Sequence, residues 1–195
     1  MTNSPKILAF AGSTREASYN KKLVKIAAEG AKAAGAEVTF LDLRDLPMPI
    51  FDEDLEAQEG LPANARTFKD MLIAHQGFLI ASPEYNSSIT AVLKNAIDWA
   101  SRPSPDEPPL GLVAFTGKVA AIMSASPGAL GGLRGLVHIR SILSNINVLV
   151  LPDQKAIPQA YAAFDENGNL KDPKQQESVK QIGSKLATIV AKLTS

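Results

Sequence analysis

Ser13, Thr14, Arg15, Ser18 and Asn20 fall within eight residues, directly behind an apolar run at 7–11 and Gly12, and just ahead of a segment with helical periodicity. A buried strand that opens into a polar loop and then a helix start is an anion site by construction. The first peptide N–H groups of a helix have no intrahelical acceptor, and the helix dipole places partial positive charge at the same point. Hydroxyl and carboxamide groups add neutral donors, and the Arg15 guanidinium adds a fork that matches phosphate oxygens. The chemistry implied is the binding of a phosphorylated ligand.

Two common phosphate motifs do not fit. Gly12 is followed by neither the glycine nor the lysine of a Walker loop, and a dinucleotide fingerprint needs further glycines that are absent here. A hydroxyl-rich loop with one arginine suits an exposed terminal phosphomonoester better than a bridging pyrophosphate, which points to a mononucleotide such as FMN. A second polar loop carries Pro83, Glu84, Tyr85 and Asn86, offering rigid peptide edges and one aromatic face. The third, 125–132, begins with Ala125 and Ser126 and is small enough in side chain for its backbone to approach a flat ring.

These loops must be positioned by regular elements. Beyond the strand at 7–11, Leu23, Ile26, Ala27, Gly30, Ala31 and Ala34 recur at helical spacing, and Gly35 is a natural stop. A strand over 37–43 precedes a long connection, 44–62, broken by Pro47, Pro49 and Pro62. A helix over 63–74, a strand over 77–82 and a helix over 90–100 follow. The proline-rich stretch 103–109 reads as an extended surface linker. A strand over 118–124 leads to a helix bearing Leu133, Leu136, Val137 and Leu143, then to a strand over 147–151 and a turn at 165–169. Val179, Ile182, Leu186, Ile189, Val190 and Leu193 mark an amphipathic C-terminal helix. Five nearly continuous apolar strands alternating with five helices predict an α/β fold, a single domain over 1–195 with a parallel sheet covered on both faces. Right-handed crossovers favour a doubly wound, three-layer arrangement, in which ligands gather beyond the carboxyl ends of the strands.

Composition narrows the chemistry further. The 195 residues include no cysteine, which removes disulfides, thiolate nucleophiles and thiolate metal sites, and only His75 and His138 could serve a histidine metal cage. No metal site is expected. Twenty basic residues balance twenty acidic ones, so no global field favours nucleic acid or an anionic membrane. No run approaches the ~18 apolar residues of a membrane span, and residues 1–6 do not open a signal peptide, so a cytoplasmic protein is expected.

Gly12-Ser13-Thr14-Arg15-Glu16-Ala17-Ser18-Tyr19-Asn20, together with Ser82-Pro83-Glu84-Tyr85-Asn86 and Lys94-Asn95-Ala96-Ile97-Asp98-Trp99, resembles the NAD(P)H-dependent FMN reductase family, which includes quinone, azo-dye and chromate reductases. The resemblance covers about residues 6–190. It implies a flavodoxin-like three-layer sandwich with strand order 2-1-3-4-5, working as a homodimer or homotetramer with FMN near the subunit interface. It further implies that Ser13, Arg15, Ser18 and Asn20 hold the FMN phosphate, and that Pro83, Glu84, Tyr85 and Asn86 border the ribityl chain and the isoalloxazine. Ala125 and Ser126 approach the ring. Relatives often carry paired hydroxyls at that last place, so any contact from Ala125 must come through its backbone. NADPH or NADH would deliver a hydride to FMN, and a quinone, azo compound, chromate or flavin would accept the electrons in a ping-pong cycle. No side-chain catalyst is demanded, since the cofactor carries the chemistry.

Each of these residues also has a plainer role to set beside that one. Ser18 and Asn20 suit helix N-caps, Tyr85 suits packing under the following helix, and Glu84 is expected to be a solvated or interface carboxylate. Trp99 reads as core or subunit contact, His75 as a helix-ending cation, and His138 as an interface residue. Two other functions compete with the oxidoreductase: a flavodoxin-type electron carrier, against which the neutral charge balance argues, and a non-enzymatic nucleotide-binding module.

Overall fold

Every strand of the central sheet runs parallel to its neighbours, in the order β2-β1-β3-β4-β5. The computed structural model describes residues 4–105, 107–109 and 111–194. The strands are β1 (Lys6–Ala11), β2 (Glu37–Asp42), β3 (Gly77–Ala81), β4 (Val119–Ala125) and β5 (Leu149–Ile157). Helices α1 (Tyr19–Ala33), α2 (Glu53–Glu59), α3 (Ala63–Ala74), α4 (Ala91–Ala100), α5 (Leu133–Asn145), α6 (Ala160–Ala163) and α7 (Pro173–Leu193) connect and cover them. The chain runs outward from β1 to β2, then returns past β1 to β3, so strand order reverses between β1 and β3.

Strand periodicity divides the core in two. Ile7, Ala9, Ala11, Leu79, Ala81, Ala121 and Met123 face α1 and α7, while Leu8, Phe10, Phe78, Ile80, Ala120 and Ile122 face α3, α4 and α5. On the first face α1 and α7 touch backbone to backbone. A Cβ at Gly30 would sit 1.9 Å from Lys180 O, and one at Gly183 would sit 1.8 Å from Ala27 O. The two glycines set the helix spacing, and through it the seat of α1 on the sheet.

Ladder hydrogen bonds continue one residue past the strands. Gly12 N donates to Ala81 O (2.9 Å), Ser82 N to Met123 O (3.0 Å) and Ser126 N to Ile157 O (3.1 Å). The loops after β1, β3 and β4 therefore leave the sheet side by side, at the switch point where a doubly wound fold collects its ligands.

Several expectations need correction. The connection 44–62 holds a 3-10 turn, Leu43–Asp45, and helix α2, whose N-cap Asp52 accepts from Asp54 N and Leu55 N. Helix α2 buries no residue, so it leaves no apolar period to read. Strand β5 runs on to Ile157 rather than ending at Leu151. It lies at the sheet edge, where Pro152 is tolerated at a register shift opposite β4. Pro103, Pro105, Pro108 and Pro109 are exposed, as a surface stretch requires, but the segment is tied down: Ser104 is buried, and the buried Lys69 donates to Arg102 O (2.6 Å) and pairs with Glu107. Leu133, Val137 and Leu193 are exposed rather than core. Trp99 is fully buried, donating to Pro49 O (2.8 Å) and packing edge-on against Phe51 (4.9 Å), so it anchors the long excursion.

Candidate functional site

The β1–α1 loop begins at Gly12, pinned between two elements. Thr90 Oγ1 donates to Gly12 O (2.7 Å) while accepting from Leu93 N, so one side chain caps α4 and fixes the mouth of β1. A Cβ at Gly12 would meet Leu93 and Ser82 at 3.0–3.2 Å, which keeps this position small. Beyond it the groups stand idle. Among the described residues the peptide N–H groups of Thr14, Glu16, Ala17 and Ser18 donate to no acceptor, and Arg15 N reaches only Ser13 Oγ (3.3 Å). Ser18 occupies the N-cap position of α1 with extended backbone, yet its hydroxyl makes no capping bond. An N-cap serine that does not cap has its oxygen free for another partner.

Arg15 has no carboxylate partner among the described residues. Its guanidinium lies over the Tyr19 ring, 5.3 Å from the centroid, and Tyr19 in turn stacks on Phe164 (5.7 Å, 16°). The neighbouring Glu16 is drawn instead toward Arg44 (3.8 Å), both side chains being exposed. The next cation along the helix, Lys21, is buried and already neutralised by Asp42 (2.6 Å). One uncommitted cation and several uncommitted donors at a helix start fit the terminal phosphate of a mononucleotide.

Asn20 is placed differently from the other loop residues. Its Nδ2 donates to Ala125 O (2.8 Å) and its Oδ1 accepts from Ala125 N (2.9 Å), a two-way clamp between α1 and the end of β4. The same bonds occupy the Ala125 peptide, so both residues act here by joining the first loop to the third. Ser126 closes a turn, with Oγ accepting from Gly128 N (3.4 Å) and its carbonyl from Ala160 N (3.1 Å). Gly132 approaches Ser124 so closely that a Cβ would lie 1.9 Å from its Oγ. The Ser124 hydroxyl is buried and has no hydrogen-bond partner among the described residues.

In the β3–α4 loop, Ser82 donates to Pro83 O (3.0 Å) and the chain then folds into a tight turn. Tyr85 N donates to Ser88 O (2.9 Å) and Ser88 N to Tyr85 O (3.0 Å), around Asn86 (φ 51°) and Ser87 (φ 67°). Positive φ at both central residues defines a type I′ turn, which carries Tyr85 into solvent at 59% exposure instead of beneath α4.

The Glu84 carboxylate, expected to be solvated or at an interface, is only 8% exposed. It accepts from Arg134 N (3.0 Å), Gly135 N (3.2 Å) and Arg134 Nε (2.8 Å), and so caps α5 from outside. Burial pushes its pKa up, but the Arg134 side chain and the peptide donors of α5 outweigh that and hold it below the ordinary glutamate value. Any ligand contact from Glu84 falls to its backbone. Arg134, Gly135, Ser88 and Thr90 are site-building residues that motif reading misses. Thr90, ahead of an apolar helix, was the one with a local signal.

A doubly wound parallel sheet of this strand order, with peptide donors left unpartnered among the described residues at the helix start after its first strand, defines a protein of the flavodoxin-like class. Residues 5–162 match the NADPH-dependent FMN reductase family, and the chain belongs to it. It is 38% identical over 182 residues to an NAD(P)H-dependent FMN reductase of Pseudomonas aeruginosa, covering 93% of this chain and 92% of that one. It is 34% identical to an NAD(P)H:quinone oxidoreductase of Solanum tuberosum, covering 96% and 94%. Among solved structures it is similar to the flavoenzyme NAD(P)H:(acceptor) oxidoreductase of Paracoccus denitrificans, with TM-score 0.78, 27% identity and coverage of 96% and 98%.

Proposed function

We propose that this protein is an FMN-dependent NAD(P)H oxidoreductase that passes electrons to a small acceptor, a quinone first among the candidates. The observation that carries the reading is the β1–α1 loop. There the Ser18 hydroxyl and a set of peptide N–H groups make no hydrogen bond among the described residues, and Arg15 has no carboxylate partner among them, its guanidinium lying over the Tyr19 ring at the head of α1. Ser13, Arg15 and Ser18 hold the phosphate, with Asn20 fixing the loop against Ala125. Pro83, the Glu84 backbone, Tyr85 and Asn86 border the ring, and the 125–132 loop with Ser126 closes the other side. FMN, when bound, supplies hydride acceptance and return. The protein orients both substrates and places peptide donors where negative charge collects. One open face serves nicotinamide and acceptor in turn, so the kinetic pattern is ping-pong.

The whole chain is read as one unit, working in the cytoplasm where its reduced nicotinamide is supplied. A homodimer or homotetramer would cover the apolar rim of Tyr85, Leu130, Leu133 and Val137, all exposed in the single chain. Among the described residues no helix is long and apolar enough to cross a membrane. The decisive experiment is reconstitution with FMN followed by anaerobic NADPH and NADH. Bleaching of the flavin, with colour restored by a quinone, is the expected result. Bound flavin that neither nicotinamide bleaches would make the protein an electron carrier, and failure to take up FMN would overturn the reading.

A further inference from the structure

The turn that presents Tyr85 and Asn86 is held from outside the sheet. Asn86 and Ser87 both sit at positive φ; asparagine adopts this conformation readily, whereas at Ser87 it carries strain that the surroundings must hold. Those surroundings are supplied by one face of α5, where positions 134, 135 and 138 lie together. Arg134 and the peptide N–H of Gly135 grip Glu84, immediately before the turn. Gly135 lets Ser88 O come close, since a Cβ there would stand 3.2 Å from that oxygen. His138 Nδ1 shares a hydrogen bond of 2.9 Å with Ser88 Oγ, at the turn's last residue. The turn is thus fastened at both ends to a helix that follows β4, whereas among the described residues the ladder of the sheet reaches this loop through Ser82 N to Met123 O.

The geometry points to Arg134, Gly135 and His138 as the positioning element of the active site, holding the 85–88 turn in its strained form and so setting where Tyr85 and Asn86 stand against the flavin. The consequence for the flavin rests on the function proposed above; the mechanical claim does not. None of the three residues touches a reacting atom in this scheme. They act through the turn.

The test uses the full chain, with and without FMN, in three variants. His138→Leu keeps bulk and removes the bond to Ser88, His138→Asn keeps a hydrogen-bonding group near the position of Nδ1, and Gly135→Ala crowds Ser88 O. In cofactor-free protein, His138→Leu and Gly135→Ala should speed hydrogen exchange at the Tyr85 and Ser88 amides by ~5-fold or more. His138→Asn should stay near wild type, and the amides of β3 should not change. In loaded protein, the two disruptive variants should shift the flavin absorbance band and raise acceptor KM more than they change kcat. FMN affinity, set mainly at the phosphate loop, should move less than ~3-fold. Unchanged exchange in His138→Leu overturns the proposal, as does acceleration spread evenly over β3 and α5. A wild-type protein that takes up no FMN would instead remove the flavin reading alone, leaving the exchange result to decide the mechanical claim. If Gly135→Ala does not fold, the His138 pair still decides it.

Discussion

The first and second loops at the sheet's carboxyl edge are built on opposite plans. In the β1–α1 loop the donors are unspent: Arg15 lacks a carboxylate, Ser18 caps nothing, and successive peptide N–H groups point at no acceptor among the described residues. In the β3–α4 loop the groups that anchor the turn are committed, while the Tyr85 hydroxyl and the Asn86 and Ser87 side chains at its tip make no hydrogen bond among the described residues. Glu84 is bound to α5, Tyr85 and Ser88 to each other, and Ser88 Oγ to His138. The first loop is chemically incomplete, with donors that an anion can satisfy. The second is finished in advance and offers a ready-made shape. A mononucleotide with a charged end and a flat end needs both, since charge is matched by free donors whereas ring position is matched by rigidity.

The clamp between Asn20 and Ala125 ties the first loop to the third, and breaking it should have the largest effect. Asn20→Ala leaves a buried N–H and a buried carbonyl without partners, each costing about 1–3 kcal/mol. Thermal unfolding of the cofactor-free protein should show a fall of several degrees, and FMN affinity should drop with it. An unchanged melting temperature would mean that the carboxamide can be replaced, and that the first and third loops are not tied through it.

Arg15→Ala sharpens the contrast from the other side. Because the guanidinium holds no partner among the described residues beyond the Tyr19 face, its loss should leave the melting temperature of the cofactor-free protein nearly unchanged. FMN binding should weaken by about 1.5–3 kcal/mol, or ~10–150-fold in Kd, as expected for a charge-assisted contact. Fluorescence titration against wild type checks this directly. Equal dissociation constants would remove Arg15 from the phosphate site.

The difference between the loops also explains how much could be read without coordinates. The polar make-up of the β1–α1 loop was legible because it is local: Ser13, Arg15 and Ser18 lie within six residues, ahead of a helix whose period is plain. Strands β1, β3 and β4 were legible for the same reason, being short and buried throughout apart from Lys6 at the start of β1. What escaped depends on distant partners. Glu84 meets Arg134 across 50 positions and Asn20 meets Ala125 across 105, so neither pairing leaves a local mark. Helix α2 buries nothing, and the far half of β5 sits at an edge where Pro152, Asp153 and Lys155 disguise it. Motifs revealed which groups a ligand could use. They did not reveal which groups the protein had already used.

The smallest expected effect concerns the charge on Glu84, and its sign follows from linkage. The folded protein holds this carboxyl below its ordinary value: burial raises it, but the Arg134 side chain and the α5 peptide donors more than compensate. A depressed folded-state value means that the ionised form stabilises the fold. That contribution is fully present above the unfolded value of about 4.3 and is lost as pH falls through the lower folded value. Glu84→Gln retains an acceptor for the helix N–H groups but cannot titrate. Between neutral pH and the unfolded value the wild type should therefore hold a constant advantage over the variant, and below it the two unfolding curves should converge. Chemical denaturation of both proteins at a series of pH values reads this out. Parallel curves through the acid range would show that Glu84 serves the turn only as a hydrogen-bond acceptor, so that the rigid loop would owe its shape to geometry alone, with the free charge of the site residing at Arg15.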